Sequence, residues 1–202
     1  VQAIEIGIQA ALDAADSGYR MIAVGEVGIG NKTTGSAVFA ALEGISPSQT
    51  TGRGAVLDDA GLSVKIRVVE RALEINKPDP GDAVDVLGKV GGLDIAGMAG
   101  VFLGAAYRRI PVVMDGFISS VAAMAAIRLN PLVAEYVFPS HLSAEKGSGL
   151  VLERLGIKPC LDLEMRLGEG SGAVLMFGII EAAAAALVQM KTFEEAGIKR
   201  NI

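Results

Sequence analysis

The sequence predicts an α/β fold, a parallel sheet with helices on both faces, and three observations carry that prediction. Short apolar segments of strand length alternate with longer stretches of helical periodicity, the pattern of units whose crossovers cover a parallel sheet. The chain is 51% hydrophobic but only 4% aromatic, so small aliphatic side chains build its interior and let helices lie close on the sheet. Glycine-rich turns directly follow strand-like segments, and sheets of this kind bind ligands beyond the carboxyl ends of their strands. Its 202 residues suit one α/β nucleotide-binding domain spanning 1–202 with a substantial core.

Ile4, Ile8, Ala11, Leu12 and Ala15 recur at helical spacing, and Ser17-Gly18 ends that run. Met21 to Val24 reads as a strand entering a loop from Gly25 to Gly35, with a helix from Ser36 to Leu42. Gly52-Arg53-Gly54 is a turn, and Leu62, Ile66, Val69 and Leu73 mark a helix with Lys65 near its start. Pro78-Asp79-Pro80-Gly81 breaks the chain, and Asp82 can cap a helix from Ala83 to Val90. The helix expected from Asp94 to Ala106 carries Gly97, Gly100 and Gly104, which suit tight packing. Strands are expected at Ile110 to Met114 and Glu135 to Phe138, and helices at Phe117 to Leu129 and Ala144 to Leu155. Leu161 to Met165 reads as a short strand or extended segment before a last helix from Ala173 to Met190.

Composition excludes several classes of function. The net charge is −5 with no basic run, which argues against nucleic acid or an anionic membrane as partner. Cys160 and His141 are the only residues of their kinds. An internal disulfide is therefore impossible, and a zinc site of the usual type would lack ligands. A lone cysteine and no signal-peptide pattern fit a cytoplasmic protein. The chain opens without Met, already inside a helical pattern, which leads us to expect a processed or truncated product. Apolar stretches stop short of the ~20 residues that span a bilayer. The 173–190 segment comes nearest, is interrupted by Glu181, and reads as a buried or interface helix.

Four candidate sites follow strand-like segments: Glu26 to Asn31, Asp115-Gly116, Ser140 to Ser143, and Gly168 to Gly172. In the last, Glu169 sits on a glycine-rich backbone just before an apolar helix. There it could take a proton from a bound small molecule or merely complement the helix dipole. Alone, the second reading is slightly the stronger; a second glycine-rich turn with its own acid, Gly25 to Lys32, adds weight to the first, and the convergence of four sites counts for more than any one motif. Gly25-x4-Gly30 resembles a P-loop, but Asn31 displaces Lys32 by one residue, and Thr33 stands where a dinucleotide fingerprint needs its third glycine. What survives is a helix start able to bind an anion, with Arg53 and Lys65 as cations or simply solvated charges. Asp115 suits a sugar hydroxyl and a helix cap equally well. His141, between Ser140 and Ser143 with no carboxylate nearby in sequence, reads as structural, while Lys89 and Lys146 stay open.

The motifs GEVGIGNKTT (25–34), DVLGKVGGLDIAGMAG (85–100), MDGFISS (114–120), PSHLSAEKG (139–147) and EMRLGEGSGA (164–173) closely resemble the nicotinate-nucleotide–dimethylbenzimidazole phosphoribosyltransferases, which assemble the lower ligand of cobalamin. The resemblance runs in unbroken order over nearly the whole chain. It implies a Rossmann-like fold, a homodimer, no cofactor or metal, and nicotinate mononucleotide and a benzimidazole-type base as substrates. By matching positions, Glu169 is implied as the general base. Glu26 and Gly116 are implied to hold the ribose, Gly28, Lys65 and the Gly54 turn the phosphate, with Ser143 close to the nucleotide. Gly30, Asn31, Asp115 and Leu167 complete the implied substrate-binding set. Family members are considerably longer, with an N-terminal region that helps close the base pocket. The chain is therefore expected to be the C-terminal part of such a protein, with an intact nucleotide half and an incomplete base half. The alternative is an inactive or binding-only fragment; a generic P-loop nucleotidase loses on the displaced lysine.

Overall fold

Aliphatic residues bring three short strands together at the centre of the molecule. The computed structural model describes residues 1–54 and 57–198. In chain order these form α1 (Gln2–Asp16), β1 (Ile22–Val24), α2 (Asn31–Glu43), α3 (Pro47–Thr50), α4 (Asp59–Asn76), α5 (Ala83–Val90) and α6 (Leu93–Tyr107). There follow β2 (Val112–Met114), α7 (Phe117–Leu129), a 3-10 helix (Pro131–Tyr136), β3 (Val137–Pro139), α8 (Ser148–Leu155) and α9 (Ser171–Gln189). The strands pair in parallel in the order β1-β2-β3, with Ala23 opposite Val113 and Val113 opposite Phe138. Side chains alternate across a strand, and β2 shows the consequence. Val112 and Met114 join the main core with α2, α6 and α7, whereas Val113 packs with Ala173 and Met176 of α9. Helices thus cover both faces, as the sequence predicts.

Small residues decide how closely the helices pack. On α1, Ile4, Gly7 and Ala11 form the buried stripe, and this stripe lies against α6. A Cβ on Gly100 would come within 2.0 Å of the Ile4 carbonyl oxygen, and one on Gly104 within 2.6 Å of that of Ile8. The two backbones therefore touch, and glycine is what allows it. Gly97 differs, since a Cβ there would find its nearest neighbour, the Ala3 carbonyl oxygen, at 3.8 Å.

Several element ends differ from the sequence reading, each for a local reason. Gly30, at φ 85°, turns the chain so that α2 begins at Asn31 rather than Ser36. Asn130 accepts the Leu132 N–H on its side chain and Pro131 fixes the first turn, so residues expected to start β3 wind into a 3-10 helix instead. α8 starts at Ser148, not Ala144, because the Ala144 N–H is held by the Met165 carbonyl. Residues 161–165 lie along that segment, joined to it by the isolated bridge from His141 to Leu161 and by the Leu142 and Ala144 N–H groups, which donate to the Leu161 and Met165 carbonyls. Asp82 does cap α5, accepting from Val84 and Asp85.

The larger correction concerns α9. Only Gly172, Ala173 and Met176 are buried along it, so of the two readings, buried or interface, the buried one fails. Its best window has mean hydropathy 2.0 and is 17% buried, and by length and composition alone the helix could cross a membrane. What ties it to the fold is its N-terminal half: Asp115 holds the first turn from below, and Ala173, Met176, Phe177 and Ile180 pack around Val113 of β2.

Candidate active site

Parallel strands end on one side of the sheet, so the loops after them converge. Gly25 and Glu26 follow β1, Asp115 and Gly116 follow β2, and Ser140 to Ser143 follow β3. These loops and the 166–169 segment enclose a cavity of about 350 Å³. Glu26, Gly28, Asp115, Gly116, Ser143, Leu167 and Glu169 all line it, with Lys32, His141, Glu145 and Arg166. All four candidate sites therefore meet at one place.

Asp115 is the keystone beneath the cavity, and it is 4% exposed. Its carboxylate accepts the N–H groups of Gly170 (3.2 Å), Gly172 (2.8 Å) and Ala173 (3.3 Å). It caps a helix, but α9 rather than the α7 that follows it, and so fixes the loop carrying Glu169. A carboxylate suits this place because the unpaired N–H groups of a helix start carry partial positive charge. The loop is also pressed onto its neighbours. A Cβ on Gly25 would lie 2.2 Å from the Gly170 nitrogen, and one on Gly172 would lie 2.0 Å from His141 Nδ1. Gly168, Glu169 and Gly170 follow one another at φ 82°, 61° and 76°. Glutamate in that left-handed region is strained by roughly 1–2 kcal/mol, and its exposed carboxylate is held at the cavity wall in spite of it.

Glu26 is oriented from behind. Asn31 Nδ2 donates to Glu26 Oε2 at 2.5 Å and to Asp94 Oδ2 at 2.9 Å, one amide bridging two carboxylates. Asn31 and Gly30 thus serve the site from the start of α2 rather than from its lining. On the adjoining wall Lys32 forms an ion pair with Glu145. Lys65 donates to the Gly52 carbonyl at 3.0 Å. Burial holds the Lys65 ammonium below its usual range, Glu145 opposes that shift, and Lys32 adds to it. Lys32 is paired with Glu145, and Lys65 stands near enough to feel the same carboxylate, so two ammonium groups gather at a corner suited to an anion. Gly54 lies on a second cavity of about 410 Å³, which shares Glu145 and Arg166 with the first. The sequence reading grouped Lys65 with both the Gly28 and the Gly54 turns; the structure joins it to the Gly52–Gly54 turn, while Lys32 is the lysine that lines the first cavity with Gly28.

His141 is 3% exposed, with Nδ1 2.9 Å from Ser140 Oγ and 3.9 Å from Asp115 Oδ1. Burial pulls its pKa down, against the opposing pull of Asp115. Sequence reasoning missed Glu145, Arg166 and Asp94. All three lay inside quoted motifs, but nothing local pointed to Asp94, because only the fold carries it to Asn31. Among the described residues no group of three or more His, Cys, Asp or Glu could hold a metal ion.

A sequence model of the phosphoribosyltransferase family matches residues 1–198. The chain is 54% identical over 197 residues to the nicotinate-nucleotide–dimethylbenzimidazole phosphoribosyltransferase of Chloroflexus aggregans, covering 98% of this chain and 56% of that one. It is 53% identical over 198 residues to the enzyme of the same name from Geotalea uraniireducens, again covering 98% and 56%. Among solved structures it superposes on CobT from Thermus thermophilus with a TM-score of 0.92 at 40% identity, covering 98% of this chain and 59% of that one. The chain thus spans just over half the length of the curated relatives it matches.

Proposed function

The chain belongs to the phosphoribosyltransferase family, and from that premise we propose that its cavity transfers the ribose phosphate of nicotinate mononucleotide to 5,6-dimethylbenzimidazole or a related base, giving α-ribazole phosphate and nicotinate. The observation that carries the proposal is the meeting of Glu26, Gly116, Ser143 and Glu169 around one cavity. Glu169 takes the N–H proton of the benzimidazole, and the other ring nitrogen attacks the sugar at C1′. The bond from C1′ to the pyridinium nitrogen breaks, and its electron pair leaves with nicotinate as a neutral pyridine. That leaving group needs no acid, so one general base suffices, worth about 10²–10⁴-fold. Glu26 and Gly116 hold the ribose with Ser143 beside it. The Gly28 turn that precedes α2, and the Lys65–Gly54 turn whose cavity shares Glu145 and Arg166 with it, receive the phosphate. Leu167 flanks the flat base.

The test is turnover of nicotinate mononucleotide by the purified chain with and without a benzimidazole. Nicotinate released only when base is present supports the proposal. Nucleotide binding without turnover assigns the chain to the binding-only reading instead. We further propose a cytoplasmic homodimer in which exposed Val174, Leu175 and Ile179 of α9 are covered by a second copy, since an open apolar face is an aggregation liability. A monomer in light scattering at micromolar concentration would show that proposal to be wrong.

A further inference from the structure

His141 has two ring nitrogens, and its surroundings assign a different task to each. Ser140 Oγ lies 2.9 Å from the Asp115 carbonyl oxygen, which can only accept, and 2.9 Å from His141 Nδ1. A serine hydroxyl has one proton. With that proton on the carbonyl, Oγ must accept from Nδ1. The reverse arrangement would strip the carbonyl of this donor and turn a bare nitrogen lone pair toward the Asp115 carboxylate, 3.9 Å away. Both considerations put the proton on Nδ1. In the neutral ring Nε2 then carries the lone pair and is an acceptor.

That acceptor has no hydrogen-bond partner among the described residues, although His141 is 3% exposed. It faces the cavity at the open side of Gly116: a Cβ placed on Gly116 would lie 3.7 Å from Nε2 and 3.7 Å from Ser143 Oγ. Nε2 itself is open to the cavity, where water can satisfy it in the free protein, so a ligand that displaces that water must bring a donor in its place. At neutral pH nicotinate mononucleotide has an ionised phosphate, an ionised carboxylate and a pyridinium without N–H. Its only donors are the two ribose hydroxyls. We propose that His141 Nε2 accepts a hydrogen bond from one ribose hydroxyl of the nucleotide, which makes His141 a sugar-binding residue at the floor of the cavity. This rests on the function proposed above and adds to it a residue whose other nitrogen is tied to the fold.

His141 is the only histidine, so ¹⁵N-histidine labelling gives one imidazole and needs no substitution. The free protein should show a protonated Nδ1 and an unprotonated Nε2. Nicotinate mononucleotide should move the Nε2 resonance in the hydrogen-bonded direction, and either the 2′-deoxy or the 3′-deoxy analogue should fail to do so. In calorimetric titrations the same analogue should bind the wild-type chain about 3- to 10-fold more weakly, as for one hydrogen bond. His141→Asn keeps a donor at the Nδ1 position and drops Nε2, so it should lose that discrimination. His141→Gln reaches the Nε2 position and should restore part of it. A protonated Nε2 in the free protein, or nucleotide binding without any Nε2 response, overturns this inference alone. A wild-type chain that does not bind nicotinate mononucleotide overturns the function reading and this inference with it.

Discussion

At the scale of single residues, Glu169 separates catalysis from stability. Its backbone is left-handed between two left-handed glycines, a conformation that disfavours a side chain, yet the side chain is a carboxylate on the cavity. Glu169→Gln keeps shape and backbone but removes the base; turnover should fall by about 10²–10⁴-fold with nucleotide affinity unchanged in a titration. Glu169→Gly should also abolish the base while leaving the melting temperature equal or higher, because relief of about 1–2 kcal/mol of strain outweighs or balances the added freedom of the unfolded chain. A clear loss of stability would mean that the carboxylate supports the fold. Gly116 gives the converse test. The Cβ of Gly116→Ala meets only ordinary contacts at 3.7 Å and its φ of −105° suits any residue, so the fold should not notice it. If the ribose lies against this glycine, the alanine methyl should weaken nucleotide binding at unchanged melting temperature, and equal affinity would move the sugar elsewhere. The carboxylate on its glycine-rich loop was legible in the sequence because the signal is local. The role of Asp115 was not: the N–H groups it accepts lie 55 to 58 residues away, and no local pattern announces a cap at that distance.

At the scale of elements, legibility follows the same division. α5 and α7 run as the sequence predicts, and α5 is fixed by its own cap at Asp82. β3 and α8 start later than predicted because Asn130 and Met165 claim the backbone there. The α1–α6 pair was half legible: three glycines on α6 signalled close packing without saying which of them mattered. Geometry separates them. Gly100→Ala drives a methyl into the Ile4 carbonyl, a backbone atom that cannot swing aside, and should cost at least about 1–3 kcal/mol in denaturant unfolding. Gly97→Ala meets nothing closer than 3.8 Å and should stabilise by up to about 1 kcal/mol through helix propensity. Equal effects from the two would refute backbone contact as the reason for glycine on this face.

At the scale of the whole molecule, the sheet's topology does what no single motif does, by collecting four loops over one buried network of Asp115, Ser140 and His141. That network makes stability depend on pH in a way that can be assigned, because the chain has a single histidine. Burial lowers the folded pKa of His141 below its ordinary value of 6.5, although the Asp115 carboxylate pulls the other way. Between the folded pKa and 6.5 the unfolded chain binds more protons than the folded one, so stability rises with pH across that interval. The contribution is fully present above 6.5 and is lost as pH falls from there through the folded pKa. Denaturant unfolding at steps from pH 7.5 to 5 should therefore show a decline that begins near 6.5, above the range where carboxylates titrate. His141→Asn should be flat over the same interval, since it keeps the Ser140 partner but cannot gain the proton. If the wild-type chain is flat as well, burial does not disfavour the imidazolium, and the ring is solvated from the cavity more than its exposure indicates. A stability that instead rises on acidification through this interval would mean that Asp115 outweighs burial and holds the ring charged.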